Sequence, residues 1–185
     1  MKNLFYFLLM SGLILSVYSC DPDEPEEGAG EEEVITTLNL TLTATNGDVV
    51  TMSFVDLDGD GGDAPTITGG TLAANTNYAG SLELLNEAED PVEDITEEVI
   101  EEDEEHQFFF STTVAGVEVR YADADADGNP LGQVIEVRTG DAGSGAFTVI
   151  LRHEPDKSAD GVMSGDISNA GGETDIEVSF DLTVQ

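Results

Sequence analysis

"TDIEVSFDLTV", residues 174–184, sets Ile176, Val178, Phe180, Leu182 and Val184 at every second position, with a polar residue between each pair. Successive side chains of a strand point to opposite faces, so this period of two describes a strand with one buried and one wet face. The same alternation recurs upstream. "TTLNLTLT" carries Leu38, Leu40 and Leu42, "VVTMSFV" carries Val50, Met52 and Phe54, and "YAGSLELL" carries Tyr78, Leu82 and Leu84. "VEVRYA" adds Val117, Val119 and Tyr121, and "AFTVILRH" adds Phe147, Val149 and Leu151; "VIEVRT" offers Val134, Val137 and, as an open alternative, Ile135. Between the runs stand "TNGD", "DGDGGDAP", "DADGNPLG" and "DAGSG", which are turn sequences. Short strands joined by such turns predict an all-β fold: an antiparallel β-sandwich of about eight strands, immunoglobulin- or transthyretin-like in architecture, over residues 34–185.

One stretch breaks the pattern. "EEVIEEDEEHQFFF", residues 97–110, crowds seven carboxylates and a histidine against three phenylalanines. The segment that leads into it, "DPVEDITEEVIEEDEEH" from Asp90, reads as a short acidic helix, with Asp90 as N-cap, Pro91 at the first helical position and Val92, Ile95, Val99 and Ile100 on one face. Glu97–Glu101, Glu98–Glu102 and Glu101–Glu105 are like-charge pairs four apart, and acids at a helix C-terminus oppose the dipole. Packing, salt or a bound cation must compensate. The phenylalanines are expected to open a core strand.

If the helix persisted, Glu102 and His106 would lie one turn apart on one face and could share a metal. His153, the second of two histidines, has the parity of Phe147, Val149 and Leu151 and is flanked by Glu154 and Asp156. Glu102, His106 and His153 are therefore the candidate ligands for zinc or another divalent transition metal. Two further stretches, Asp56–Asp58–Asp60–Gly61 and Asp123–Asp125–Asp127–Gly128, match the first half of a calcium loop, so their aspartates are candidate calcium ligands. The twelfth positions are Ile67 and Val134, so neither loop brings its own closing glutamate. Turns also use Asp and Gly for their own sake.

The N-terminal segment and the overall charge speak to location more firmly than to chemistry. Lys2 precedes an apolar run, "LFYFLLMSGLILSVYS", too short for a comfortable membrane span and laid out as a secretory signal over residues 1–19. Cys20, the chain's one cysteine, follows it in a context that resembles the bacterial lipobox; that resemblance implies lipidation of Cys20 and anchoring to a membrane. "DPDEPEEGAGEEE", residues 21–33, has nothing to bury and reads with Cys20 as an acidic tether over 20–33, reaching roughly 40–45 Å if extended. The formal net charge is −35, with 40 Asp and Glu against five Lys and Arg. Such a field excludes nucleic acid as a partner. It favours solubility in salt and attraction of cations. No P-loop, G-x-G-x-x-G or G-x-S-x-G occurs, and nothing marks an activated nucleophile, so no enzymatic activity is expected.

"EEVIEEDEEHQFFF", "LRHEPDKSADGV" and "GDISNAGGETDIEVSF" resemble segments of a family of small lipoproteins from marine and soil Bacteroidota, and the acids after Cys20 resemble the surface-export signal of that group. Members are sometimes catalogued under a type 1 periplasmic-binding fold, which needs alternating βαβ units that one helix among strands does not supply. The resemblance implies display on the outer membrane, outward-facing first and periplasmic second, and, by analogy, service to a TonB-dependent receptor. The expectation is thus a lipid-anchored surface protein that binds divalent cations as an accessory or capture protein for nutrient uptake. The alternative is a structural or adhesive surface lipoprotein with no transport role.

Overall fold

The computed structural model describes residues 33–59 and 61–185. Among the described residues, seven strands form where alternation places them and an eighth, β6, where the phenylalanines are expected to open one: β1 (Thr37–Ala44), β2 (Val49–Val55), β5 (Asn77–Leu85), β6 (His106–Thr112), β7 (Glu118–Tyr121), β8 (Val134–Arg138), β9 (Gly143–His153) and β10 (Glu173–Val184). Two three-residue strands, β3 (Thr66–Thr68) and β4 (Gly70–Leu72), add to them. They are too short to show a period. One sheet runs β3-β2-β1-β5-β8-β7 and the other β4-β10-β9-β6. All pairings are antiparallel except that of β4 with β10, which is parallel. Between β3 and β4 the chain changes sheets at Gly69, where a Cβ would lie 2.2 Å from the Asp181 carbonyl oxygen. Only glycine fits that crossing.

The inward faces of the two sheets make one core. Leu38, Leu40 and Leu42 of β1 and Leu82 and Leu84 of β5 meet Phe147, Val149 and Leu151 of β9 and Val178, Phe180 and Leu182 of β10, all buried. In β8 the inward residues are Ile135 and Val137, whereas Val134 is 37% exposed. The register decides this: Ile135 stands opposite Gly80 of β5, and an added Cβ there would lie 2.7 Å from Ile135 Cγ1, so the isoleucine fills the space the glycine leaves.

The helix is shorter than its sequence suggests. α1 spans Ile95–Glu101, and its N-cap is Asp94, whose side chain accepts from the Thr96 amide. Asp90 and Pro91 precede it because Asn86 and Glu93 exchange both backbone hydrogen bonds as an isolated antiparallel bridge, which keeps the chain extended to residue 93. Ile95 and Val99 are buried, while Val92 and Ile100 are exposed. Thr96 docks the helix on β5, its hydroxyl donating to the Leu84 carbonyl and accepting from the Leu84 amide. Like charges leave their mark: burial, then Glu93, Glu33, Glu102 and Glu101, raise the pKa of Glu98.

The outer face of the four-stranded sheet carries a second, small core. Phe109 packs there with Val162 and Ala170 from the β9–β10 connection. Lys157 of the same connection is buried, donates to the Asp103 carbonyl and pairs with Asp125 at 3.0 Å, tying three loops together. Tyr121 donates to the Phe108 carbonyl and accepts from Gln107; burial, partly offset by that Gln107 bond, pushes its hydroxyl up to about 12.

Candidate metal centre

His106 opens β6 and His153 closes β9, and the antiparallel register sets them directly opposite each other. Both have the inward parity of their strands, so the pair forms the last rung of the core above Phe108 and Leu151, which face each other one rung deeper and are fully buried. The imidazole centroids are 4.6 Å apart with planes inclined by 31°.

Two carboxylates complete the group. Asp175 belongs to β10, where the register with β9 slips between Thr174 and Ile176. That slip is a β-bulge, which gives β10 an extra residue and re-aims its side chain. Without it Asp175 would face away from Ile176. Instead its Oδ1 lies 3.9 Å from His153 Nδ1 and its Oδ2 3.9 Å from His106 Nε2. β10 can start this close because Gly172, at φ +67°, has no Cβ to collide with the His153 carbonyl oxygen, 2.2 Å from where one would sit. Glu33, ahead of β1, brings its Oε1 to 2.9 Å from His106 Nε2.

His106, Glu33 and Asp175 have side-chain exposures of 0%, 6% and 3%, and His153 of 12%. Each of the four offers one ligand atom, and these atoms all lie within 4.8 Å of one another. Tetrahedral zinc, with bonds of about 2.0–2.2 Å, needs its ligand atoms about 3.3–3.6 Å apart, so a modest contraction would close the set.

The hydrogen bonding of His106 favours a ligand role. Its Nδ1 is 3.2 Å from the Glu102 carbonyl, so Nδ1 donates there and Nε2 is directed toward the carboxylates. The Glu33 approach is a close charge contact rather than an aligned hydrogen bond, since His106 Nε2 and Glu33 Oε2 are both buried without a hydrogen-bond partner. Burial opposes a charge on the ring, but Glu33, the Glu102 carbonyl and Asp175 outweigh it and hold the pKa above the ordinary imidazole value. Two imidazoles and two carboxylates suit zinc and neighbouring divalent metals.

The structure thus joins His106 and His153 but corrects the part given to Glu102. The helix ends at Glu102, the C-cap, and His106 begins a strand, so no helical face unites their side chains. Glu102 contributes its backbone oxygen. Glu33 and Asp175 were not signalled: one ends an acidic run read as tether, and the other has the outward parity of its strand until the bulge shifts it. A second group, Glu105, His153 and Glu154, adjoins the first through the shared histidine.

Asp56, Asp58, Asp123 and Asp125 of the two loops spend their carboxylates on hydrogen bonds within the turns. Asp123 accepts from the Gly132 and Val134 amides. Asp125 accepts from the Asp127 and Asn129 amides and from Lys157, which already supplies the positive charge an ion would bring. Among the described residues, Asp123, Asp125 and Asp127 do not form a converging group. In the other loop Asp56 accepts from the Gly59 amide and Asp58 from the Asp63 amide, which is turn chemistry. Asp60, Cys20 and the whole of residues 1–32 lie outside the described residues. Comparison with protein-family models, with curated proteins and with solved structures returned no match.

Proposed function

We propose that the protein is a lipid-anchored surface protein that captures a divalent transition-metal ion, zinc in the first instance, between His106, His153, Glu33 and Asp175. The observation that carries this reading is His106. Its Nδ1 is committed to a carbonyl, while its Nε2 reaches a buried pocket of carboxylates without a hydrogen-bond partner. Buried polar atoms are ordinarily satisfied, and an ion would satisfy this one together with Glu33 Oε2. The net charge of −35 would concentrate cations around such a site. The anchor rests on the lipobox-like context of Cys20, and delivery to a TonB-dependent receptor rests on the family resemblance alone.

A structural or adhesive surface protein is the rival reading. One observation favours it: a protonated His106 would pair with Glu33 across the same 2.9 Å without any metal. Calorimetric titration with zinc at physiological ionic strength separates the two. Capture predicts a single ion per chain at micromolar affinity or tighter, lost in His106→Ala and His153→Ala. No binding at that salt supports the structural role.

A further inference from the structure

The buried group has one half-open side. Of its four members, His106, Glu33 and Asp175 are almost sealed, and His153 is the most exposed. The His153 ring faces both ways: Nδ1 is 3.9 Å from Asp175 Oδ1 inside, and Nε2 is 3.9 Å from Glu105 Oε2 outside. Glu105, 58% exposed, and the exposed Glu154 complete a second set of ligand atoms around that outer side. The two glutamates are tied together, since the Glu154 amide donates to the Glu105 carbonyl at 2.6 Å. Glu105 also ends the acidic run Glu101–Glu105, which stands at the turn into β6.

We infer that Glu105, Glu154 and the outer nitrogen of His153 form the loading port through which the buried site takes up and releases its ion. The inference rests on the metal-capture reading above. A hydrated cation is drawn by the acidic run, exchanges water for the two exposed carboxylates and the imidazole, and passes inward as His153 turns about its Cβ–Cγ bond toward Asp175. The port is an exchange site and the inner group the holding site. A function follows for the carboxylates that precede the phenylalanines in sequence: they line an entrance.

The test uses the full mature chain and zinc alone as probe. Glu105→Gln/Glu154→Gln keeps side-chain shape at exposed positions. Equilibrium affinity, from competition with a chromophoric chelator, is expected to change by less than about fivefold, as for other exposed charges. Association measured by stopped flow at low salt is expected to slow by about tenfold or more, the scale of electrostatic steering. Dissociation into excess chelator should slow in proportion, because the equilibrium is nearly unchanged. A matched charge loss on β7 and β8, Glu118→Gln/Glu136→Gln, should leave both rates near wild type. Unchanged rates in the first variant, or equal slowing in both, would overturn the port. So would a loss of affinity as large as that of His106→Ala, because the glutamates would then belong to the holding site. Absence of zinc binding by the wild-type chain would remove the holding site itself, a separate failure.

Discussion

His106 and His153 occupy one rung of a two-strand ladder, 47 positions apart in sequence and 4.6 Å apart between ring centroids. Their pairing follows from the β6–β9 register, which the core below them fixes: Phe108 against Leu151 and Phe110 against Val149. A one-residue slip would send every one of these side chains to the opposite face. The fold therefore sets the juxtaposition of the two imidazoles through strand register alone.

Asp175→Asn tests whether the bulge delivers a ligand. The amide keeps the shape and the strand register but is a poorer donor to zinc. Zinc affinity is expected to fall by at least the 10- to 100-fold typical of losing a supporting partner. Amide exchange across β9 and β10 should stay as protected as in wild type, and loss of that protection would mean that Asp175 serves the strand and not the site.

Lys157→Met tests the buried pair in place of a calcium loop. It strands the Asp125 carboxylate, whose side chain is 1% exposed, and is expected to cost about 3–5 kcal/mol in denaturant unfolding. Lys157→Met/Asp125→Leu should recover part of that loss, because no unpaired charge remains buried.

The same pair sets a pH dependence. Burial alone would raise the Asp125 pKa, but the Lys157 ammonium and the Asn129 amide outweigh it and hold the carboxyl below its usual value. A group with a depressed folded pKa adds stability above its unfolded pKa of about 3.9, and that contribution disappears as pH falls through the folded value. Melting temperature against pH should accordingly steepen below about pH 4 in wild type. The slope should be shallower in Asp125→Asn.

Core parity in β8 is checked by two substitutions. Ile135→Ala removes a fully buried side chain and is expected to cost about 2–5 kcal/mol. Its neighbour Val134 points outward, so Val134→Thr should stay within about 0.5 kcal/mol. The reverse order would contradict the register of β8 on β5.

The architecture was legible because alternation survives in the sequence wherever a strand has one wet face; β10 announces itself through Ile176 to Val184. Three-residue strands such as β3 and β4 hold too few residues for any period. The site was half legible. One histidine opens an apolar run and the other closes one, which places both at the rim of the core. Asp175 was hidden because a bulge alters register without altering composition. Glu33 was hidden because one acid among many in residues 21–33 carries no distinguishing pattern. Glu102 leaves the group because the helical spacing its role depended on stops at Glu101, where α1 ends.

Zinc K-edge X-ray absorption on the protein loaded with one equivalent of zinc tests the central claim most directly. The account predicts two imidazole nitrogens and two carboxylate oxygens at about 2.0–2.2 Å, with the imidazole scattering halved in His153→Ala. A zinc ion surrounded by oxygen alone, with no imidazole signature, would contradict it.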